Sequence, residues 1–344
     1  YLLVNRAAAT ALLGANPSAL QPGAKGKVVH GRIAYVDALA PGRNVIAILP
    51  GSDPALRGEY VAIGAHNDHV GTSARVVDHD SIRAFNQVLR PQGADSPNNR
   101  VPTAAEIQRI RQLTDSLRGA HGGARPDSVY NGADDDGSGS MSLLEVAESF
   151  ATAKERPKRS MLFIWHVAEE LGLFGAEYFT DHPTVPRDSI VAQLNIDMVG
   201  RGGATDVTGE AKDGTLLHGG PGYVQLIGSR RLSTELGDLA EAVNTDQQLG
   251  LRFDYSLDAD GHPQNIYCRS DHYMYARYGI PVVFFTTGGH ADYHQVTDEP
   301  QYIDYRRMES VARLVHDLGW RVANLDHRPV VDKPKPDPRG RCRQ

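Results

Sequence analysis

Short apolar runs rich in β-branched residues recur along the chain, and they predict the strands of a buried sheet. Most of these runs are apolar at consecutive positions and not at every second one, which is typical of strands covered on both faces. The predicted strands are Val28 to Val36, Val45 to Leu49, Tyr60 to Ala65, Met161 to Val167, Ile190 to Ile196, Tyr223 to Ile227 and Pro281 to Thr286.

Three segments between the strands carry apolar residues at helical spacing. They are Met141 to Ala153, Leu232 to Asn244 and Tyr305 to Ala323, and Ser138 or Ser140 offers an N-cap for the first of them. Strands that alternate with helices favour an α/β fold. We therefore predict a three-layer sandwich in which helices flank a central, mostly parallel mixed β-sheet.

A long polar segment over residues 72–130 interrupts this pattern. It is rich in Gly, Pro and Asn and contains one helical candidate, Thr103 to Leu117. Because a loop of this length inside a compact domain usually has a function, we predict an insertion that forms a lid or rim. The other predicted parts are an upstream segment (1–26), a main domain (27–326) and a flexible C-terminal tail rich in Pro, Lys and Arg (327–344).

Composition and charge exclude several classes of partner. With 344 residues, of which 40% are hydrophobic, the chain is long enough to bury a full core. The formal net charge is −6 and no Lys/Arg cluster extends beyond a few residues, so neither nucleic acid nor an anionic membrane surface is favoured. No apolar run approaches the ~18 residues of a membrane span, so we expect no membrane span.

The two cysteines and the first residues say little about the cellular location. Cys342 lies in a Pro- and Arg-rich stretch where a partner within bonding distance would be accidental, so we expect no bridge to Cys268. The opening Tyr1-Leu2-Leu3-Val4 lacks an initiator Met and a preceding basic region, so it is not a signal peptide. We expect that an upstream piece has been lost.

Potential metal ligands follow several predicted strands, at the point where each strand ends. In α/β proteins ligands gather at the carboxyl edge of the sheet, so side chains delivered there are expected to lie close together. They are His66 after the strand at Tyr60, Glu169 and Glu170 after the strand at Met161, Asp197 after the strand at Ile190, and His294 beyond the strand at Pro281, while Asp134 to Asp136 fill the turn before the first long helix.

Taken singly, each of these residues has an ordinary structural interpretation, such as a hydrogen-bonded histidine or a solvated acidic turn. Together they form a set of imidazoles and carboxylates without a thiolate, which is what a borderline divalent ion such as Zn²⁺ accepts, and which also suits Co²⁺ or Mn²⁺. The joint pattern therefore predicts a metal site.

Six motifs in one order also give the chain a family resemblance: it resembles the M28 metallopeptidases, the aminopeptidase and glutamate-carboxypeptidase-like group. The motifs are Ala65-His66-Asn67-Asp68-His69, Asn131 to Gly139, Ala168-Glu169-Glu170-Leu171-Gly172-Leu173-Phe174-Gly175, Asn195-Ile196-Asp197-Met198-Val199-Gly200, Ser270-Asp271-His272 and Tyr293-His294. The resemblance covers residues 44 to about 300 and implies the zinc exopeptidase fold.

The resemblance also implies a set of metal ligands. Asp134 would bridge two Zn²⁺ ions, with Glu170 and His294 completing one site and His66 and Asp197 the other. In this family the peptide bond after the bridging aspartate is commonly cis, which here is the bond from Asp134 to Asp135.

Further residues receive roles by the same resemblance. Glu169, next to a ligand, would be the general base, and the Tyr293 hydroxyl would stabilise the oxyanion. Asp68 is placed to accept a hydrogen bond from the second nitrogen of His66. We expect structural roles for the additional histidines His69, His272 and His290.

The implied function is that of a secreted or periplasmic exopeptidase acting on peptides, and an aminopeptidase is favoured because no clear arginine signature indicates a carboxylate clamp. Residues 1 to about 14 resemble the end of a protease-associated domain, in agreement with a secreted parent. The alternatives are a carboxypeptidase that uses Arg201, Arg252 or Arg269, a glutaminyl-cyclase-like acyltransferase with one zinc, and a non-catalytic peptide-binding module. Retention of all five ligands and of Glu169 argues against the last two.

Overall fold

The computed structural model describes residues 4–32, 34, 41–97 and 100–344, and the chain divides into two compact units, Tyr1–Pro41 and Gly42–Gln344. The first unit contains helix α1 (Arg6–Leu13), which ends at Gly14 in the left-handed conformation. The strand predicted at Val28 to Val36 does not form over residues 28–32, and its residues 33, 35 and 36 lie outside the described residues.

The second unit is built on a mixed sheet with helices between its strands. Its helices are α2 (His79–Leu89), α3 (Ala104–His121), α4 (Gly137–Thr152), α5 (Phe174–Asp181), α6 (Thr234–Asp246), α7 (His272–Ala276) and α8 (Tyr305–Asn324). Its strands are β1 (Val45–Leu49), β2 (Tyr60–His66), β3 (Thr72–Asp78), β4 (Pro126–Val129), β5 (Ser160–His166), β6 (Ile190–Ile196), β7 (Val207–Glu210), β8 (Leu216–His218), β9 (Tyr223–Ile227), β10 (Arg252–Asp254) and β11 (Val282–Thr286).

Seven of the strands form one sheet in the order β1-β5-β2-β6-β11-β9-β10. The four central strands β5, β2, β6 and β11 run parallel to one another, while β1 and β9 pair antiparallel with their inner neighbours. Because parallel strands end at the same edge, His66 lies directly beside His166 at the ends of β2 and β5. The predicted three-layer sandwich with a mostly parallel mixed sheet is confirmed.

Two hydrophobic layers cover the sheet, one on each face. In β2, Val61 and Ile63 pack into the layer with α4, α6 and α8, whereas Ala62 packs into the layer with α5 and α7. Successive side chains of a strand point to opposite faces, so a strand in this position must be apolar at consecutive residues. The uninterrupted apolar runs of the sequence follow from this two-sided burial.

The segment predicted to be an insertion has its own secondary structure. Strands β3 and β4 pair antiparallel, and α2 and α3 lie between them in sequence and pack against each other. Helix α3 begins at Thr103 with a capping box, in which Thr103 and Glu106 each accept the other's backbone N–H, and it ends at Gly122 in the left-handed conformation. The helical candidate at Thr103 to Leu117 is therefore confirmed.

The C-terminal segment contacts residues around Cys268 within the second unit. Cys342 forms a disulfide with Cys268, with the two Cα atoms 5.9 Å apart, so the prediction of two free cysteines was wrong. The Gln344 side chain donates to the Leu257 carbonyl oxygen and accepts from the Tyr267 N–H (3.0 Å). The segment predicted to be a flexible tail thus makes specific contacts, which a composition rich in Pro and Arg does not reveal.

Candidate metal centre and substrate cavity

A shared aspartate joins two clusters of ligand-type side chains at the carboxyl edge of the sheet. His66, Asp135 and Asp197 form the first cluster, in which ligand atoms lie within 4.8 Å of one another. His66 Nε2 is 3.2 Å from Asp135 Oδ1 and 3.7 Å from Asp197 Oδ1. Since His66 ends β2 and Asp197 directly follows β6, two neighbouring parallel strands deliver this cluster.

The second cluster lies on the other side of Asp135. It comprises His69, Asp135 and Glu170, and His294 contacts the last two. His294 Nε2 is 2.9 Å from Asp135 Oδ2 and 3.0 Å from Glu170 Oε2. His69 Nδ1 is 2.8 Å from Glu170 Oε1 but 3.9 Å from Asp135 Oδ2. Each oxygen of Asp135 therefore faces a different cluster.

Asp134, the aspartate predicted to bridge two ions, lies outside both clusters. Its Oδ1 accepts from the Gly200 N–H (2.7 Å), and its Oδ2 is 3.2 Å from His290 Nε2. The cis peptide bond joins Asp135 to Asp136, so the predicted cis bond between Asp134 and Asp135 was wrong. Asp135, and not Asp134, is the aspartate common to both clusters.

The start of α4 explains this shift by one residue. Asp136 is the N-cap, and its Oδ1 accepts from the Gly139 N–H (2.9 Å), so the serines predicted as caps lie inside the helix. Asp136 Oδ2 also accepts from the His66 N–H (3.0 Å). Because Asp136 caps α4 and accepts from His66, Asp135 is the residue that lies between the two clusters.

Several buried polar atoms of the two clusters lack a hydrogen-bond partner. They include His66 Nε2, both ring nitrogens of His69, Asp135 Oδ2 and Glu170 Oε1. Buried nitrogen and oxygen atoms normally have partners, so lone pairs that converge without them indicate a possible cation site. The donors are imidazoles and carboxylates, which fit Zn²⁺.

Glu169 belongs to neither cluster among the described residues, yet it lines the same cavity. Burial raises the pKa of the Glu169 carboxyl well above its ordinary value. The charge of His66 opposes this rise, and the charges of Asp197 and Asp271 add to it. A carboxyl with a raised pKa is suited both to accept a proton and to return it.

Asp68 contacts Glu169, Glu170 and His66. Its Oδ1 accepts from the Glu169 N–H (3.0 Å) and its Oδ2 from the Glu170 N–H (3.3 Å). His66 Nδ1 contacts the Asp68 backbone carbonyl oxygen at 3.1 Å, whereas the nearer carboxylate oxygen is 3.8 Å away. Asp68 thus orients His66 through its backbone carbonyl group. The sequence had suggested that the Asp68 carboxylate would do this.

A hydroxyl that the sequence analysis did not single out holds Asp197. Ser270 Oγ donates to Asp197 Oδ2 (2.7 Å) and accepts from the Asn195 side-chain amide (2.9 Å). Ser270 stands in the Ser-Asp-His motif, so its position in that motif was the available signal. Its hydrogen bond fixes the rotamer of a ligand-type carboxylate.

The three additional histidines have different environments. His69 joins the second cluster, although a structural role had been predicted for it. His290 lies beside Asp134, away from the clusters. His272 stacks on Phe284 with ring centroids 4.7 Å apart, and burial lowers its pKa to about 3, so it is a neutral core residue.

A cavity of about 340 Å³ opens next to the two clusters. The carboxylates Asp135, Glu169, Glu170 and Asp197 lie in its wall, as do Tyr293 and His294. The rest of the wall includes the apolar residues Leu173, Met198, Leu257, Ile266 and Phe284. Apolar walls beside a few polar groups are typical of ligand-binding cavities.

Tyr293 and Arg269 meet at the wall of this cavity. Arg269 Nη2 donates to Tyr293 Oη (3.2 Å), and Arg269 Nη1 donates to Asp95 Oδ2 (2.6 Å). Asp95 and its neighbour Gln92 belong to the 72–130 segment, so the insertion contributes to the cavity wall. Asp95 belongs to none of the six sequence motifs, and no feature of the sequence alone identifies it as a residue of the cavity wall.

A model of peptidase family M28 matches residues 44–319 of the chain. Leupeptin-inactivating enzyme 1 of Streptomyces exfoliatus is 30% identical over 182 residues, which cover 52% of this chain and 34% of that protein. A probable leucine aminopeptidase of Trichophyton verrucosum is 25% identical over 261 residues, covering 74% of this chain and 61% of that protein. The chain thus spans less than two thirds of the length of either relative.

Solved structures share the fold. The LapA aminopeptidase of Legionella pneumophila superimposes with a TM-score of 0.50 at 20% identity, covering 82% of this chain and 56% of that one. The zinc aminopeptidase BSAP of Bacillus subtilis gives a TM-score of 0.50 at 18% identity, with 81% and 49% covered. Within the described part of the chain, no helix is both long and apolar enough to cross a bilayer.

Proposed function

This chain belongs to peptidase family M28, and we propose from that premise that it is a di-zinc aminopeptidase. The observation that carries the proposal is the sharing of Asp135 between two clusters of imidazoles and carboxylates, in the wall of a cavity that also contains Glu169. Two divalent ions joined by one carboxylate are a recurrent arrangement in enzymes that hydrolyse amides and phosphates.

The proposed ligands follow the contacts. His66 and Asp197 would hold one ion, Glu170 and His294 would hold the other, and both ions would share Asp135. His294 is preferred to His69 as the imidazole of the second ion because it lies close to both carboxylates. His69 Nδ1 lies 2.8 Å from Glu170 Oε1 but farther from Asp135. Co²⁺ or Mn²⁺ would be accepted by the same donors.

Ions held by these residues would supply positive charge, which would acidify a water molecule and polarise a peptide carbonyl. The Glu169 carboxylate accepts the proton of the attacking water and delivers it to the leaving amine. Its raised pKa supports both steps, because a carboxyl that binds the proton too weakly would not hold it until the C–N bond breaks. The Tyr293 hydroxyl donates to the carbonyl oxygen as negative charge develops there.

The charges of the cavity do not favour the carboxyl end of a peptide. Among the described residues that line it, one is an arginine, Arg269, and its charge is already paired with Asp95. A terminal carboxylate therefore lacks a free arginine clamp. The apolar side chains of the wall support a preference for apolar substrate side chains, in line with relatives named leucine aminopeptidases.

Aminoacyl anilides tested against N-blocked peptides, together with metal analysis, distinguish the possible activities. We expect hydrolysis of free-amine substrates with apolar side chains and almost none of N-blocked ones. Preferential release of C-terminal residues from N-blocked peptides would instead identify a carboxypeptidase, and one tightly bound zinc with cyclisation of glutaminyl peptides would identify the acyltransferase.

We further propose that the protein works outside the cytosol, in a secreted or periplasmic location. The Cys268–Cys342 disulfide supports this because such bonds persist in oxidising compartments. Fractionation of the native host with an antibody against the chain tests it. Detection in the cytosolic fraction alone would reject the proposal.

A further inference from the structure

A short turn of the insertion is docked on the loop that carries Tyr293. The 3-10 turn Gly93–Asp95 lies between α2 and α3, and the Ala94 N–H donates to the Tyr293 carbonyl oxygen (3.0 Å). Gly93 has a φ of +54°, and a Cβ there would collide with the backbone of Tyr293. Only glycine allows so close an approach in this conformation, so the insertion and the Tyr293 loop are fitted to each other.

This docking brings Asp95 to Arg269. The guanidinium donates to Asp95 Oδ2 through Nη1 (2.6 Å) and to Tyr293 Oη through Nη2 (3.2 Å). The side chains of Arg269 and Asp95 are 36% and 33% exposed, so water screens the pair only in part. The rigid, planar guanidinium of Arg269 thus connects the Asp95 carboxylate of the insertion to the Tyr293 hydroxyl in the cavity wall.

The direction of the hydrogen bond determines what the hydroxyl can do. A guanidinium has donors but no acceptor, so Tyr293 Oη must accept from it. The hydroxyl proton is then free to point at another acceptor, and donation from a cation polarises the O–H bond. Arg269 therefore prepares Tyr293 to donate into the cavity.

The position of Arg269 depends on Asp95 because this pair fixes the rotamer of the arginine side chain. The carboxylates Asp135, Glu170 and Asp197 are proposed to hold the two ions, so they would not replace Asp95 as a partner. A long side chain released from its partner regains several rotamers. Without Asp95, Arg269 would therefore spend less time beside Tyr293.

We propose that Asp95, supplied by the insertion, is a positioning residue that holds Arg269 so that the Tyr293 hydroxyl donates to the reacting carbonyl oxygen. This inference rests on the proposed peptidase function. It makes the insertion part of the catalytic apparatus and not only a rim that selects substrates.

The test is a double-mutant cycle between Asp95→Asn and Tyr293→Phe, read as kcat and KM on an aminoacyl anilide. Loss of an oxyanion donor costs about 100-fold or more, so Tyr293→Phe should lower kcat by about that factor. We expect Asp95→Asn to lower kcat by about tenfold with little change in KM, since the donor is misdirected but present. In the Tyr293→Phe background the same change should cost less than about twofold.

Control variants separate positioning from folding. Asp115→Asn makes the same chemical change at an exposed residue of the same insertion and should leave kcat unchanged. Asp95→Glu retains the charge and should restore part of kcat, whereas Arg269→Lys cannot reach two partners in a fork and should resemble Asp95→Asn. Metal content should equal that of the wild type in all of these variants.

Each contrary outcome identifies what has failed. Equal effects of Asp95→Asn with and without the Tyr293 hydroxyl would overturn the inference, as would a change confined to KM or a loss of metal. These results would leave the proposed function standing because the wild type would still cleave peptides. A metal-loaded wild type without peptidase activity would overturn the proposed function and this inference with it.

Discussion

Glu169 and Glu170 are adjacent in sequence but have different environments and different proposed roles. Both backbone N–H groups are held by the Asp68 carboxylate, so the two side chains start from a fixed segment of chain. Glu170 contacts His69 and His294, while Glu169 stands in the cavity wall without joining a cluster. Exchanging either glutamate for glutamine keeps its size and removes its charge, which makes the pair suitable for matched experiments.

We predict that Glu169→Gln lowers kcat by at least about 100-fold, because a positioned acid–base group contributes about 10²- to 10⁴-fold. Metal content should remain nearly unchanged, since no proposed ligand is removed. Glu170→Gln should instead reduce metal content. Metal analysis and steady-state kinetics on both variants check this, and a reversed outcome would exchange the roles of base and ligand.

The neighbouring aspartates Asp134 and Asp135 offer a second matched pair. We predict that Asp135→Asn lowers the occupancy of both ions because each of its oxygens faces one cluster. Asp134→Asn should retain both ions, since its oxygens contact Gly200 and His290. The metal content of the two purified variants shows which of the two aspartates is the shared ligand. Loss of metal from the Asp134 variant alone would restore the assignment made from the sequence.

At the scale of elements, α2 ties the insertion to the loop before His294. Arg83 of α2 donates to Asp292 Oδ2 (2.5 Å), and its guanidinium lies 3.3 Å from the centre of the Tyr302 ring. Asp292 is fully buried and also accepts from Arg201 (3.0 Å). The buried carboxylate thus joins the insertion to the segment that carries Tyr293 and His294.

We predict that Arg83→Met lowers the free energy of unfolding by about 1–3 kcal/mol, the usual cost of leaving a buried hydrogen-bonding group short of a partner. The remaining contact with Arg201 keeps the loss below that of a fully broken buried pair. Urea unfolding measures the change. Arg109→Met, at an exposed position of α3, should stay within about 0.5 kcal/mol of the wild type, and equal losses in both variants would contradict the prediction.

For the whole molecule, the disulfide closes a long loop. Cys268 and Cys342 are 74 residues apart in sequence, and Cys268 lies in the cavity wall directly before Arg269. We predict that the Cys268→Ser/Cys342→Ser double variant loses about 2–4 kcal/mol of unfolding free energy. Reductant should destabilise the wild type by a similar amount and leave the double variant unaffected. A wild type that is insensitive to complete reduction would refute this.

Metal binding should be visible in the stability of the whole chain. We predict about two divalent ions per purified chain, and a fall in the thermal midpoint when a chelator removes them, because ligands bound only by the native state stabilise it. Mass spectrometry under native conditions and a thermal scan provide the two readings. Restoration by Zn²⁺ is the control, and a midpoint unaffected by complete metal removal would contradict the prediction.

Local patterns in the sequence determined most strands of the central sheet and its long helices. β1, β6 and β9 have the bounds that their apolar runs predicted, and α8 extends the predicted helix by one residue. These bounds were predictable because burial on both faces requires consecutive apolar residues, and a helix requires their recurrence on one face. The types of residue at the strand ends likewise indicated metal chemistry before any geometry was known.

The tertiary structure decided which particular atoms meet. The assignment among Asp134, Asp135 and Asp136 depended on the start of α4, where Asp136 accepts from the N–H groups of His66 and Met198, both far away in sequence. The disulfide also joins residues that are distant in sequence. Asp95 and Arg269, which form an ion pair, are 174 residues apart. Local sequence encodes the propensity of a segment, whereas contacts between distant segments depend on the packing of the whole chain, and therefore only the folded structure reveals them.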